Sequence, residues 1–302
     1  MTLKQYAAII EDKLNELVPE AAQHTPSSGE IPWLLNNAMR YSLTAGGKRL
    51  RPAMLLAAAD MLNVPREEAI IPACALEMIH TYSLIHDDLP GMDNDTLRRG
   101  RPTNHVVFGE GQAILAGDGL LSLAFELMLE NGMAYPENAA NHNAAAYEIA
   151  HGAGAYGMVA GQCMDLYCER ENIKDEKILD YIHMNKTARL LIAPLRAAGR
   201  LAGLAPDSEE MVALTGYAVN FGLLFQVVDD ILDVTGDQAL VGKTLGKDAE
   251  SGKLTFVTMY GLEGARRHAA ELKARAEQHI SLFGERAHFF AALLDAMSTR
   301  AF

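Results

Sequence analysis

The sequence predicts an all-α protein, and three observations carry that reading. Apolar residues recur at helical spacing along nearly the whole chain, alternating strand patterns are almost absent, and no Gly-, Ser- or Pro-rich linker divides it. The helical periodicity covers residues 66–86, 109–131, 138–168, 174–203, 207–233 and 254–283. His105-Val106-Val107-Phe108 is the one short strand candidate, and it stands alone. With 302 residues, 49% of them apolar, the chain can bury a large core without disulfides as staples. Residues 1–302 are therefore expected to form a single domain.

The elements follow in order. Leu3, Tyr6, Ile10, Leu14 and Leu17 form one stripe, and the charged residues between them exclude a signal peptide. Gln23 to Glu30 is polar and reads as a loop. Pro65 with Glu67 and Glu68 suits a first helical turn, and Pro194 predicts a kink. Asp207 and Glu210 have capping-box spacing ahead of an apolar run. That run, Met211 to Val228, holds no charged residue over 18 positions. Thr215, Asn220 and Gln226 interrupt it and Asp229-Asp230 follow directly, so we expect a buried helix and no membrane insertion. Acidic residues number 39 against 26 basic ones, a net charge of −13 that argues against nucleic-acid binding. The three cysteines, Cys74, Cys163 and Cys168, cannot all pair, and a cytoplasmic location is expected.

The chemistry lies where apolar helices end in aspartates. Asp229 and Asp233 stand at i and i+4, so a helix stacks both carboxylates on one face. Like charges at that spacing cost a few tenths of a kcal/mol, and carboxylates buried without a partner cost far more. A divalent cation removes that penalty; Mg²⁺ commonly takes one or two carboxylates together with substrate phosphate oxygens. Asp87 and Asp93 cannot align on a straight helix, but Pro90 and Gly91 let the chain turn and bring Asp93 back. Basic residues arrive in small sets: Lys48-Arg49-Leu50-Arg51, Arg98-Arg99-Gly100-Arg101, Lys186, Lys243, Lys247 and Lys253. Two acidic clusters with several basic sets suit two diphosphates, one held through metal ions and one held by cations directly.

In this order and spacing, further elements become specific. They are Gly46-Gly47-Lys48-Arg49-Leu50-Arg51-Pro52, Asp87-Asp88-Leu89-Pro90-Gly91-Met92-Asp93, Gly161-Gln162-Cys163-Met164-Asp165-Leu166, Lys186-Thr187 and Phe225-Gln226-Val227-Val228-Asp229-Asp230-Ile231-Leu232-Asp233. The chain resembles the short-chain trans-prenyl diphosphate synthases, most closely the bacterial farnesyl diphosphate synthases, from roughly Asn37 to Lys253. The resemblance implies an antiparallel helical bundle of the isoprenoid synthase type around a central cavity, usually a homodimer. It also implies that Asp87, Asp88, Asp93, Asp229 and Asp233 hold Mg²⁺, three ions per site. Arg98, Lys186 and Lys243 would hold the allylic diphosphate; Lys48, Arg51, His80 and Arg99 would hold isopentenyl diphosphate. Thr187 and Gln226 would line the reacting carbons, and Lys253 would close the site. Arg189 departs from the pattern, because bacterial members more often carry small residues there, and it puts a charge near the allylic pocket unless it turns away.

The implied activity is Mg²⁺-dependent condensation of isopentenyl diphosphate with dimethylallyl and geranyl diphosphates, by ionisation, condensation and elimination. Departing pyrophosphate can take the final proton, which matches the lack of an obvious Ser/His/Asp arrangement. The expected product is farnesyl diphosphate, with Tyr82, five residues before Asp87, as the floor that stops the tail. On an ideal helix Ser83 aligns better with Asp87, so the floor assignment leans on the resemblance. Geranylgeranyl and geranyl diphosphate synthases are the alternatives. A class I terpene cyclase would mix Asn, Ser or Thr and Glu in its second motif. A non-catalytic partner subunit would have lost one aspartate cluster.

Overall fold

Helices begin where the sequence supplies a cap. In the computed structural model, which describes residues 1–173, 175–235 and 255–301 with side chains as far as Ser298, Thr2 opens α1 (Leu3–Leu17) with a full capping box. Its hydroxyl accepts from the Gln5 amide at 3.3 Å, and the Gln5 side chain accepts from the Thr2 amide at 2.8 Å. The described chain is almost wholly helical and groups into two compact units, Met1–Ala57 with Pro65–Ala146, and Ala58–Val64 with Tyr147–Phe302.

The first unit contains α1, α2 (Trp33–Leu43), the start of α3 (Leu50–Met61), α4 (Arg66–Asp87), α5 (Asn104–Phe108), α6 (Glu110–Ala134) and the start of α7 (Ala139–Ala153). Helix α4 packs along α6, and Ile10, Leu14, Met39, Leu43, Leu76 and Met78 are fully buried. A buried ion pair ties these helices together: Arg49 Nη1 donates to Glu77 Oε1 at 2.7 Å, and Nη2 donates to the Leu43 carbonyl at 2.7 Å. Removing either partner would strand a buried charge, which typically costs about 3–5 kcal/mol.

The second unit contains α8 (Met158–Glu171), α9 (Glu176–Ile182), a π-helical turn (His183–Ala188), α10 (Arg189–Leu201), α11 (Glu209–Thr235), α12 (Phe256–Ile280) and α13 (His288–Ala301). Helices α6 and α11 are each long and apolar enough to cross a membrane by length and composition. Helix α11 instead buries most of its apolar residues against α10 and α12. Tyr217 of α11 is fully buried, and its hydroxyl donates to the Phe290 carbonyl at 3.0 Å.

Three local expectations are corrected. Residues 105–108 are helical, within α5; a short run of apolar and β-branched residues does not settle the period, and Val106 and Val107 are exposed. The two strands described are Leu97–Arg98 and Arg101–Pro102, a hairpin whose central residues Arg99 and Gly100 both have positive φ, as a type I′ turn requires. The cap of α11 is Ser208, not Asp207: the Ser208 hydroxyl accepts from the Met211 amide at 3.2 Å. Pro194 lies inside a continuous α10, and the irregularity of that stretch is the π turn upstream of it.

Glu148 anchors α7 to α10 within the second unit. It accepts from Arg196 Nε at 2.7 Å, Arg196 Nη2 at 2.8 Å and Arg200 Nε at 3.0 Å. Burial raises the carboxyl's pKa, but these bonds outweigh it and hold the group below its usual range. A depressed acid stabilises the fold above its unfolded value and loses that contribution as pH falls through the folded one. Glu148→Gln should therefore lower stability by about 3 kcal/mol at neutral pH. It should also flatten the loss of stability below pH ~4. Urea denaturation at a series of pH values checks both; an unchanged acid limb would show that Glu148 does not carry it.

Candidate active site

The first unit gathers one acidic and one basic group of side chains. Asp87 is the last residue of α4, and Asp88 continues into its cap. The chain then turns through Pro90 and Gly91 so that the Asp93 amide donates to the Asp87 carbonyl at 2.8 Å. This is the return that the sequence required of Pro90 and Gly91. Asp88 is buried, and Arg98, presented by the hairpin, closes on it: Nε lies 2.8 and 2.9 Å from the two carboxylate oxygens, and Nη2 lies 2.6 Å from Oδ1. Burial is the larger influence on Asp88 and leaves its pKa raised despite Arg98; the guanidinium, weighed between burial and Asp88, ends up raised as well.

The basic group lies on the same unit. Arg51 Nη1 lies 3.4 Å from His80 Nε2, and the Arg99 guanidinium donates to the Gly46 carbonyl. Gly47, at φ 135°, is where Arg99 crosses the chain: a Cβ there would stand 2.8 Å from the Arg99 Cζ. Burial, reinforced by Arg51, Arg99, Arg98 and Arg49, holds His80 well below its ordinary pKa, so it is a neutral imidazole. Arg51 is held down to about 10 by burial, with Arg99 adding to the effect. Cations crowded this closely are stabilised by any anion that joins them. Lys48 is exposed beside them, while Arg49 of the same run is committed to Glu77.

Tyr82 is buried, and its ring meets the His86 ring edge-on with centroids 5.7 Å apart. The Ser83 hydroxyl donates to the His80 carbonyl at 2.8 Å, a bond within its own helix.

In the second unit the residues cluster around the π turn. Lys186 Nζ donates to Asp165 Oδ2 of α8 at 2.5 Å. Gly161 permits that approach, since a Cβ on it would overlap the Lys186 backbone nitrogen. Thr187 Oγ1 donates to Gln226 Oε1 at 3.1 Å, and Gln226 Nε2 donates to Asp230 Oδ1 at 2.9 Å. The other Asp230 oxygen accepts from the Phe256 amide, the first of α12, at 2.9 Å. A π turn is a common device at functional sites, and it is the feature of this region that periodicity alone does not reveal. Asp229 is half-buried and Asp233 buried, one helical turn apart on α11. Lys243 and Lys253, with Lys247, lie outside the described residues.

A family model described as polyprenyl synthetase matches residues 32–286. The chain belongs to the polyprenyl synthetase family. It is thus a prenyltransferase with the all-α isoprenoid synthase fold. It is 49% identical over 255 residues to geranylgeranyl pyrophosphate synthase 9, chloroplastic, of Arabidopsis thaliana, covering 82% of this chain and 69% of that protein. It is 39% identical over 292 residues to the geranylgeranyl diphosphate synthase of Cyanophora paradoxa, covering 97% and 93% of the two chains. Among solved structures it matches the apo FPP/GFPP synthase of Zymomonas mobilis with a TM-score of 0.85 at 34% identity, over 98% of this chain and 97% of that one. A geranyltransferase from Legionella pneumophila gives 0.83, also at 34% identity, over 99% and 96%. The expectation of a cytoplasmic protein is overturned by these relatives, since several of those most similar to the chain are named as chloroplastic.

Polyprenyl synthetases are generally Mg²⁺-dependent, and the donor set fits that ion. Carboxylates are hard oxygen ligands, and Asp93 is folded back onto the end of α4 beside Asp87. Among the described residues no three acidic, His or Cys side chains converge on one point.

Three residues to which spacing assigned no role stand in these regions. Asp165 holds Lys186, Asp230 holds Gln226, and Gln162 has both side-chain amide atoms buried without a hydrogen-bond partner among the described residues. Asp230→Ala should cut kcat at least tenfold by releasing Gln226, and should leave the Mg²⁺ concentration for half-activity unchanged; Asp230→Asn, which keeps an acceptor for Gln226, should restore part of the loss. A shift in Mg²⁺ requirement as large as that of Asp229→Ala would make Asp230 a metal ligand instead.

Proposed function

We propose that this prenyltransferase condenses isopentenyl diphosphate with allylic diphosphates to make geranylgeranyl diphosphate. The observation that supports the twenty-carbon product is kinship: relatives named as geranylgeranyl synthases share 39–49% identity with most of the chain, whereas the FPP/GFPP synthase neighbour shares 34%. In this reading Asp87, Asp88, Asp93, Asp229 and Asp233 hold Mg²⁺, which neutralises the pyrophosphate that leaves. Arg98 and Lys186 hold the same diphosphate, exchanging their carboxylate partners Asp88 and Asp165 for phosphate oxygens. Thr187 and Gln226, fixed through Asp230, present polar atoms to the allylic carbons. Lys48, Arg51, His80 and Arg99 bind the second diphosphate without metal, the neutral imidazole orienting Arg51. Enclosure then lets the allylic cation meet the alkene before water. The exposed Ile114, Leu115, Leu129 and Met133 of α6 support a homodimer built on that helix.

A specific observation favours farnesyl diphosphate as a second reading. Tyr82 is a bulky, buried side chain about 7.5 Å along α4 from Asp87 at 1.5 Å per residue. A twenty-carbon tail has to run past that level, with Tyr82 as a side wall, whereas a fifteen-carbon tail can stop on it. Chromatography of the products from dimethylallyl diphosphate decides between them. A chiefly twenty-carbon product that Tyr82→Ala leaves unchanged supports the main reading. A chiefly fifteen-carbon product that Tyr82→Ala lengthens would replace it with the second.

The metal-free diphosphate pocket has its own test. Arg51→Gln should raise KM for isopentenyl diphosphate roughly 10- to 150-fold, the worth of about 1.5–3 kcal/mol for a charge-assisted bond, with the allylic KM unchanged. Steady-state kinetics with each substrate varied in turn would reverse the two pockets if only the allylic KM moved.

A further inference from the structure

Within the second unit, α10 carries three arginines that line one cavity. A cavity of about 530 Å³ is lined by Arg189, Arg196 and Arg200 of α10 together with Glu148 and His151 of α7. Its volume is in the range of small-molecule pockets. Three guanidinium groups against one carboxylate leave it with net positive charge, in a chain whose total is −13. Glu148 satisfies only part of the donor set. Arg196 also donates from Nη1 to Thr215 at 2.9 Å, and Arg200 from Nη1 to the Leu204 carbonyl at 3.2 Å. The one side-chain hydrogen bond of Arg189 among the described residues runs from Nε to Asn185 Oδ1 at 3.5 Å, and the residue lines the cavity. A guanidinium offers a forked donor that matches phosphate oxygens.

The remaining walls are apolar or aromatic. Met184, Ile192, Ala193 and Val219 supply hydrocarbon, and Tyr147 stacks on His151 with centroids 5.6 Å apart. A cationic end with an apolar wall selects an amphipathic anion. We infer that this cavity is a second, non-catalytic site for a phosphorylated hydrocarbon, with the phosphate on Arg189, Arg196 and Arg200 and the hydrocarbon along Ile192, Ala193 and Val219. The assignment also accounts for Arg189, the charge that departs from the family pattern. The inference rests on the cavity and not on the product length.

Calorimetric titration in EDTA tests it, with inorganic pyrophosphate and geranyl diphosphate as probes, on the full chain and three variants. Two binding events per chain are expected, one weakened at least tenfold by Arg189→Gln and the other by Arg51→Gln. Geranyl diphosphate should bind the Arg189 site at least tenfold more tightly than pyrophosphate, and Val219→Phe, which fills the apolar wall, should erase that difference while pyrophosphate still binds. A single event removed by Arg51→Gln alone would overturn the site, as would two events that persist in Arg189→Gln. If Arg189→Gln fails to fold, Val219→Phe decides: unchanged binding of both probes overturns the assignment.

Discussion

Carboxylates stand at the C-terminal end of one apolar helix in each unit, and the side chains around each end answer that fact. Asp87 and Asp88 close α4, and Asp229, Asp230 and Asp233 occupy the last two turns of α11. A helix C-terminus carries a partial negative charge, so each acid placed there costs about 0.3–1 kcal/mol before burial is counted. At least one carboxylate of each set is engaged by protein donors. Asp88 is taken by Arg98, and Asp230 by Gln226 and by the first amide of α12, the positive end of another helix.

The cations divide in the same way. Arg49 is spent on Glu77 and on the Leu43 carbonyl, deep in the core of the first unit. Its neighbour two residues on, Arg51, faces His80 instead and is lowered by burial and by Arg99. A cluster in which cations depress one another is electrostatically loaded, and any anion placed among them would relieve the load. A net charge of −13 gives no hint of this, because the positive field is local.

Much of this was legible in the sequence, for identifiable reasons. The helical class followed from the period, and the return of Asp93 to Asp87 followed from Pro90 and Gly91. The short elements escaped. Residues 105–108 carry β-branched residues in a run too brief to show a period, and the two-residue strands around Arg99 and Gly100 are set by turn geometry rather than by pattern. Which arginine of a basic run is structural was also hidden, since Arg49 and Arg51 differ only in what α4 places opposite them. Product length is least legible, because it depends on where a tail meets a side chain and not on which residue type precedes Asp87.

The π turn at His183–Ala188 resolves the oddest position in the sequence. On a regular helix Lys186 and Arg189 lie about 60° apart, at i and i+3, and would share a face. A wider turn rotates the residues after it relative to those before it. Lys186 then reaches Asp165 on α8, while Arg189 falls in line with Arg196 and Arg200 on the cavity side of α10. Arg189 and Lys186 face different partners across the same irregularity that positions Thr187. One backbone feature thus serves the two faces of a single helical segment, and a substitution that regularised it would disturb both.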